Sequence, residues 1–80
     1  MYIIINKTKQ TRYLHEDSFP SAVLDEMLDN GDRVIVISLY TNLFKVPFME
    51  ELNGVRQWCW ENFPLDRETL LNYGINYKNL

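Results

Sequence analysis

Apolar positions along this 80-residue chain recur at two different spacings, and these spacings predict most of its elements. Tyr2–Asn6 is short and β-prone, 7–10 is a polar turn, and 11–14 returns as a second strand. Behind it the period changes. Phe19, Val23, Leu24, Met27 and Leu28 fall in one helical arc, with Asp25, Glu26 and Asp29 on the opposite one. Pro20 suits the first turn behind Ser18 or Phe19, and Asn30-Gly31 supplies a stop. An amphipathic helix over about residues 19–30, with an acidic outer face, is therefore predicted to lie on a sheet.

The sheet continues at 33–40, where four consecutive β-branched residues, Val34–Ile37, favour a strand buried on both faces. Thr41-Asn42 reads as a tight turn into 43–48, and Asn53-Gly54 as a stronger one, because both residues tolerate positive φ. Two-residue loops at both places fix the parity. Ile35, Ile37, Leu39, Phe44, Val46, Phe48, Leu52, Val55 and Cys59 then share a face, expected to be the core beneath the acidic helix. The other face carries Val36, Ser38, Tyr40, Lys45, Pro47, Met49, Glu51, Arg56, Trp58 and Trp60. On it Glu51 stands opposite Arg56, and Met49 opposite Trp58.

Two features oppose this meander. Pro47 falls in its central strand, where proline removes a ladder donor. Met49, Leu52, Val55, Cys59 and Phe63 also recur at helical spacing, though a helix over 49–62 must absorb Gly54 at about 1 kcal/mol. A short C-terminal helix is predicted over about 66–73, with Asp66 as N-cap, Leu65 stapled to Leu70, and Gly74 as stop with Ile75 folded back on Leu70. The tail 75–80 reads as a strand or a docked extension. The fold class is thus α+β: one domain spanning 1–80, a small antiparallel sheet of four to five strands, and two helices.

Composition narrows the rest. A chain this short buries only about 60–65% of its unfolded surface, so extra stabilisation is expected from outside a single core. Cys59 is the only cysteine and His15 the only histidine, which excludes an internal disulfide and disfavours a structural zinc. Homo-oligomerisation is the remaining route. Net charge is −3, with Lys7, Lys9 and Arg12 clustered before a wholly acidic stretch from Glu16 to Asp32. Such a balance argues against general DNA or RNA binding, which rests on phosphate neutralisation. MYIIINK lacks a signal-peptide pattern and no apolar run reaches membrane length, so a cytoplasmic protein is expected.

Candidate chemistry is sparse. His15-Glu16-Asp17, with Arg12 nearby in sequence, is the one place for a histidine-based nuclease or hydrolase; a polar strand end before a helix is the plainer reading. Cys59 lies on the expected core face, where cysteine commonly serves as a small buried residue. Gly31, Gly54 and Gly74 are isolated, so no phosphate loop and no cofactor is implied. The acidic helix face suits weak cation binding or phosphate mimicry, but a solvated face is commoner.

The aromatic face carries most promise. Tyr40, Lys45, Met49, Arg56, Trp58 and Trp60 include the residue types enriched at interface cores, and aromatics beside cations also stack nucleobases. The alternative is that the C-terminal helix covers this face as a second layer. In size and composition the chain resembles the small accessory proteins encoded by phages and prophages, many of which block host enzymes or defence systems. No family motif carries that resemblance, so it transfers no residues. The expected function is non-enzymatic: stoichiometric inhibition of a host protein target, or an oligomeric sponge for a nucleotide signal.

Overall fold

The computed structural model describes residues 1–76, and the last part of the predicted tail lies outside the described residues. Among the described residues, five strands form one antiparallel sheet in the order β2-β1-β3-β4-β5. They are β1 (Tyr2–Asn6), β2 (Thr11–His15), β3 (Val34–Ser38), β4 (Leu43–Leu52) and β5 (Val55–Pro64). Helix α1 (Ser21–Asp29) joins β2 to β3, and the short α2 (Arg67–Asn72) follows β5.

β3 is the centre of the molecule, and all five of its residues are buried. Alternation sends Val34 and Val36 to one side, where they meet Ile4, Leu24 and Leu28. Ile35 and Ile37 point the other way and meet Phe44, Leu70 and Ile75. The described residues therefore form two thin cores on one sheet. Each fully buried leucine, such as Leu24 or Leu70, contributes about 1.5–3 kcal/mol relative to exposure.

The helices are exchanged relative to the expectation from sequence. α1 covers the face carrying Trp58 and Trp60, and α2 covers the Ile35–Phe44 face. Parity alone specifies which residues share a face, and says nothing of which helix crosses to it. α1 is also shorter than predicted: Pro20 is the N-cap rather than a first-turn residue, and Val23 is exposed, so the buried arc narrows to Leu24 and Leu28 with Met27 beside them.

Both helices end alike. Gly31 and Gly74 take positive φ and donate to Leu28 and Leu71, while Asp32 and Ile75 donate to Met27 and Leu70. These are paired Schellman bonds, and the second one folds the buried Ile75 back on Leu70 as predicted. Asp66 caps α2 by accepting from the Thr69 N–H at 2.8 Å.

The β3–β4 connection differs from the predicted two-residue turn. Ser38 pairs with Leu43, leaving a four-residue loop, Leu39 to Asn42. Asn42 has φ 53°, Leu39 N–H donates to Met1, and the Tyr40 hydroxyl donates to the Glu16 carbonyl. The register moves by two residues, an even number, so the face assignments within the strands survive, while Leu39 and Tyr40 pass into the exposed loop. The Asn53-Gly54 turn closes Leu52 against Val55 with φ 53° and 79°, and 49–62 is extended rather than helical.

Pro47 explains where the sheet divides. β3–β4 pairing stops at Val36–Lys45, although β4 and β5 remain paired for ten positions. In a two-residue hairpin the bonded pairs are 52–55, 50–57, 48–59 and onward, so the Pro47 nitrogen faces β3. A proline there has no N–H to give Val34, and the ladder ends one pair short of it. Beyond this point β4 and β5 continue as a two-stranded arm, and the molecule is elongated, 40 × 24 × 21 Å.

Candidate functional site

Phe48, Leu52 and Val55 were expected in the core and are instead exposed, by 43%, 62% and 62%. The reason is length. The second core reaches along β4 only to Val46, because α2 is six residues long. Past Pro47 nothing among the described residues packs onto this side of the arm. Successive inward positions of the hairpin thus pass from the fully buried Phe44 to three open apolar side chains.

The opposite side of the arm holds Met49 against Trp58 and Glu51 against Arg56, as the parity predicted. Met49 is 39% exposed, and Arg56 is exposed beside the tip. Trp58 is half-buried because its indole N–H donates to Asp29 at the end of α1, at 3.2 Å. Trp60 is also half-buried, edge-on to Phe19 at 5.4 Å. Trp58 therefore leans on the end of α1 and Trp60 on Phe19 just before it, and neither forms a wholly free surface.

Phe19 and Tyr2 belong to this aromatic row, though sequence reasoning assigned them no role in it. Tyr40 meets Tyr2 at 5.4 Å, Tyr2 meets Phe19 at 5.5 Å, and all these contacts are edge-to-face. Lys45 sits over the Phe19 ring at 5.9 Å and donates to the Asn62 side chain at 2.6 Å. Tyr2, Phe19, Lys45 and Trp60 together line a shallow crevice of about 280 Å³. Tyr2 could have been placed there from its parity with Ile4, and Phe19 from its position just before Pro20.

Two other sequence candidates separate in space. His15 pairs with Tyr2 and Arg12 with Ile5, so the two lie at positions of opposite parity on β2 and face opposite ways. Cys59 donates its thiol to the Glu50 carboxylate at 3.0 Å. That hydrogen bond, followed by partial burial and the carboxylate charge, raises the thiol pKa, the reverse of what activates a nucleophile. Among the described residues no cluster of three metal-ligating side chains occurs, and no helix is long and apolar enough to cross a membrane.

The segregated charges of the sequence meet at one corner. Lys9 pairs with Asp32 at 3.5 Å, and Asp32 also accepts from the buried Asn6 amide. Lys7 donates to the Tyr73 carbonyl at the end of α2. Burial, and then the nearby Arg33 charge, lowers its pKa. These bonds tie the β1–β2 turn to both helix ends and leave the arm uninvolved. No protein-family model, no curated protein and no solved structure matches this chain.

Proposed function

We propose that this chain is a small non-enzymatic binding protein that acts by occupying a protein target, with the arm as its contact surface. One observation carries the reading: Phe48, Leu52 and Val55 stand exposed on one side of a projecting hairpin. A small chain gains little from holding three large apolar side chains in water unless something covers them. Met49 and Arg56, on the other side of the same arm, are of the flexible and cationic types enriched at interfaces. The target class that suits the chain's size and composition is a cytoplasmic host enzyme or defence factor, blocked in the manner of a phage accessory protein.

Affinity capture from the native host tests this with wild type beside Phe48→Asp/Leu52→Asp. Both side chains are exposed, so the variant is expected to fold and to lose the target. Undiminished capture by the variant would contradict the assignment of the arm.

A second reading has its own observation. Phe19, Trp60 and Lys45 border one crevice, an arrangement suited to a stacked nucleobase with its phosphate on the lysine. In this reading the chain sequesters a nucleotide signal. Native mass spectrometry of protein purified without denaturation is expected to show a retained nucleotide, lost in Lys45→Ala. Protein free of nucleotide, and unresponsive to added mono-, di- and cyclic nucleotides, would eliminate it.

A further inference from the structure

β5 runs for ten residues along the rim of the sheet and, among the described residues, is paired on one side only. Its bonds to β4 use the odd-numbered residues, starting from the Leu52–Val55 pair that closes the turn. The main-chain N–H and C=O of Arg56, Trp58, Trp60 and Asn62 consequently point away from the sheet. Proteins usually blunt such an edge by keeping it short, charging it, bulging it or placing a proline within it, and β5 carries only Arg56 and Glu61 as charges. β5 has an unbroken register from Val55 to Pro64, and its one proline occupies the last position. The other rim, β2, has only five residues.

We propose that this edge takes a second copy of the chain, β5 against β5, antiparallel about a two-fold axis normal to the sheet. Such an axis joins like faces, so the numbers of paired residues must sum to an even value. The outward-pointing groups belong to even-numbered residues, which meets this requirement without distortion. Side-chain chemistry then chooses among the central registers. Placing Cys59 opposite Cys59 sets Trp58 against Trp60, Val55 against Phe63, Gln57 against Glu61 and Arg56 against Asn62. Sliding two residues one way sets Glu61 against Val55, and the other way sets it against Cys59. The first register alone matches apolar with apolar and amide with carboxylate.

The pairing covers Val55, one of the most exposed apolar residues of the single chain. It also places the Phe48 side chains of both copies on one face, flanking the axis. The inference goes beyond the binding function proposed above and does not rest on it, because it uses the main-chain edge of β5 and, of the three exposed apolar residues that carry that reading, covers only Val55. Phe48→Asp/Leu52→Asp tests target capture and is expected to leave the dimer intact, so either idea can fail alone.

Sedimentation equilibrium on the wild type is expected to give twice the 9.6 kDa of one chain. Mild oxidation is expected to yield a covalent dimer through Cys59. Non-bonded antiparallel pairs have Cα atoms about 4.5 Å apart, within the disulfide range of about 4.4–6.8 Å. Cys59→Ser should abolish the crosslink, and adding Gln57→Cys with Glu61→Cys should restore it. Arg56→Pro/Asn62→Pro removes two outward N–H groups while sparing the β4 ladder, and is expected to give a folded monomer by sedimentation and circular dichroism. A wild type that stays monomeric at its highest soluble concentration overturns the proposal. So does a dimer in which neither cysteine arrangement crosslinks, or one that survives both prolines. If the proline variant fails to fold, mass and crosslinking of the other forms still decide the matter.

Discussion

The two halves of the β4–β5 hairpin share one ladder and one unbroken register, yet they live in different environments. In the proximal half Phe44 is fully buried, stacked on Phe63 at 5.4 Å and touched edge-on by Tyr73. In the distal half Phe48, Leu52 and Val55 continue the same apolar alternation into solvent. Hydrophobic pattern therefore specifies a face, while the reach of the covering helix decides whether that face becomes core. α2 ends the core, and Pro47 releases the strand from β3 at nearly the same level.

The sharpest way to break this contrast is to truncate one phenylalanine from each half. Phe44→Ala is expected to cost about 3–5 kcal/mol by leaving a cavity between sheet and helix. Phe48→Ala is expected to stay within about 0.5 kcal/mol of wild type, as exposed substitutions usually do. Thermal and urea unfolding of the two variants, side by side, measure the difference. Comparable losses would mean that the arm is packed as tightly as the body.

Gly54→Ala probes the arm from its tip. The added methyl meets open space, but φ is +79°, so the cost is conformational, about 1–2 kcal/mol. That cost should appear as faster local opening of residues 50–57, seen in amide exchange, with the body little changed. A uniform drop in protection across the whole sheet would instead tie the arm to the core.

The smallest effect concerns the cap that sets where the covering helix begins. Hydrogen bonding from Thr69 holds the Asp66 carboxyl below the ordinary aspartate pKa of 3.8. A depressed folded pKa means that the contribution is complete above 3.8 and disappears as pH falls through the lower, folded value. Wild type should therefore lose slightly more stability than Asp66→Asn over that acidic window, and match its trend above it. Parallel pH–stability profiles for the two proteins would show that the charge on the cap is idle.

Sequence made some of this legible for identifiable reasons. Asn53-Gly54 is a turn signal strong enough to set the ladder of ten pairs, and Asp66, Gly74 and Ile75 describe their helix end almost completely. The run from Val34 to Ile37 marked the central strand, because four β-branched residues in a row favour a strand covered on both sides. What escaped was three-dimensional. The crossing of α1 to the tryptophan face depends on the β2–β3 connection, and the four-residue loop depends on contacts of Tyr40 and Leu39 with distant segments. Pro47 looked like an objection to the hairpin and proved to mark its separation from β3. The arm's exposure followed from the shortness of α2, a length that periodicity over six residues cannot specify.

Native-state amide exchange, followed residue by residue at concentrations where the chain is monomeric, tests the division of the hairpin most directly. The bonded amides of Phe44, Val46, Glu61 and Phe63 should exchange only through global unfolding. Those of Glu50, Leu52, Val55 and Gln57 should exchange orders of magnitude faster, through local opening of the exposed tip of the arm, beyond Trp58. Equal protection along the full length of β4 and β5 would contradict the account.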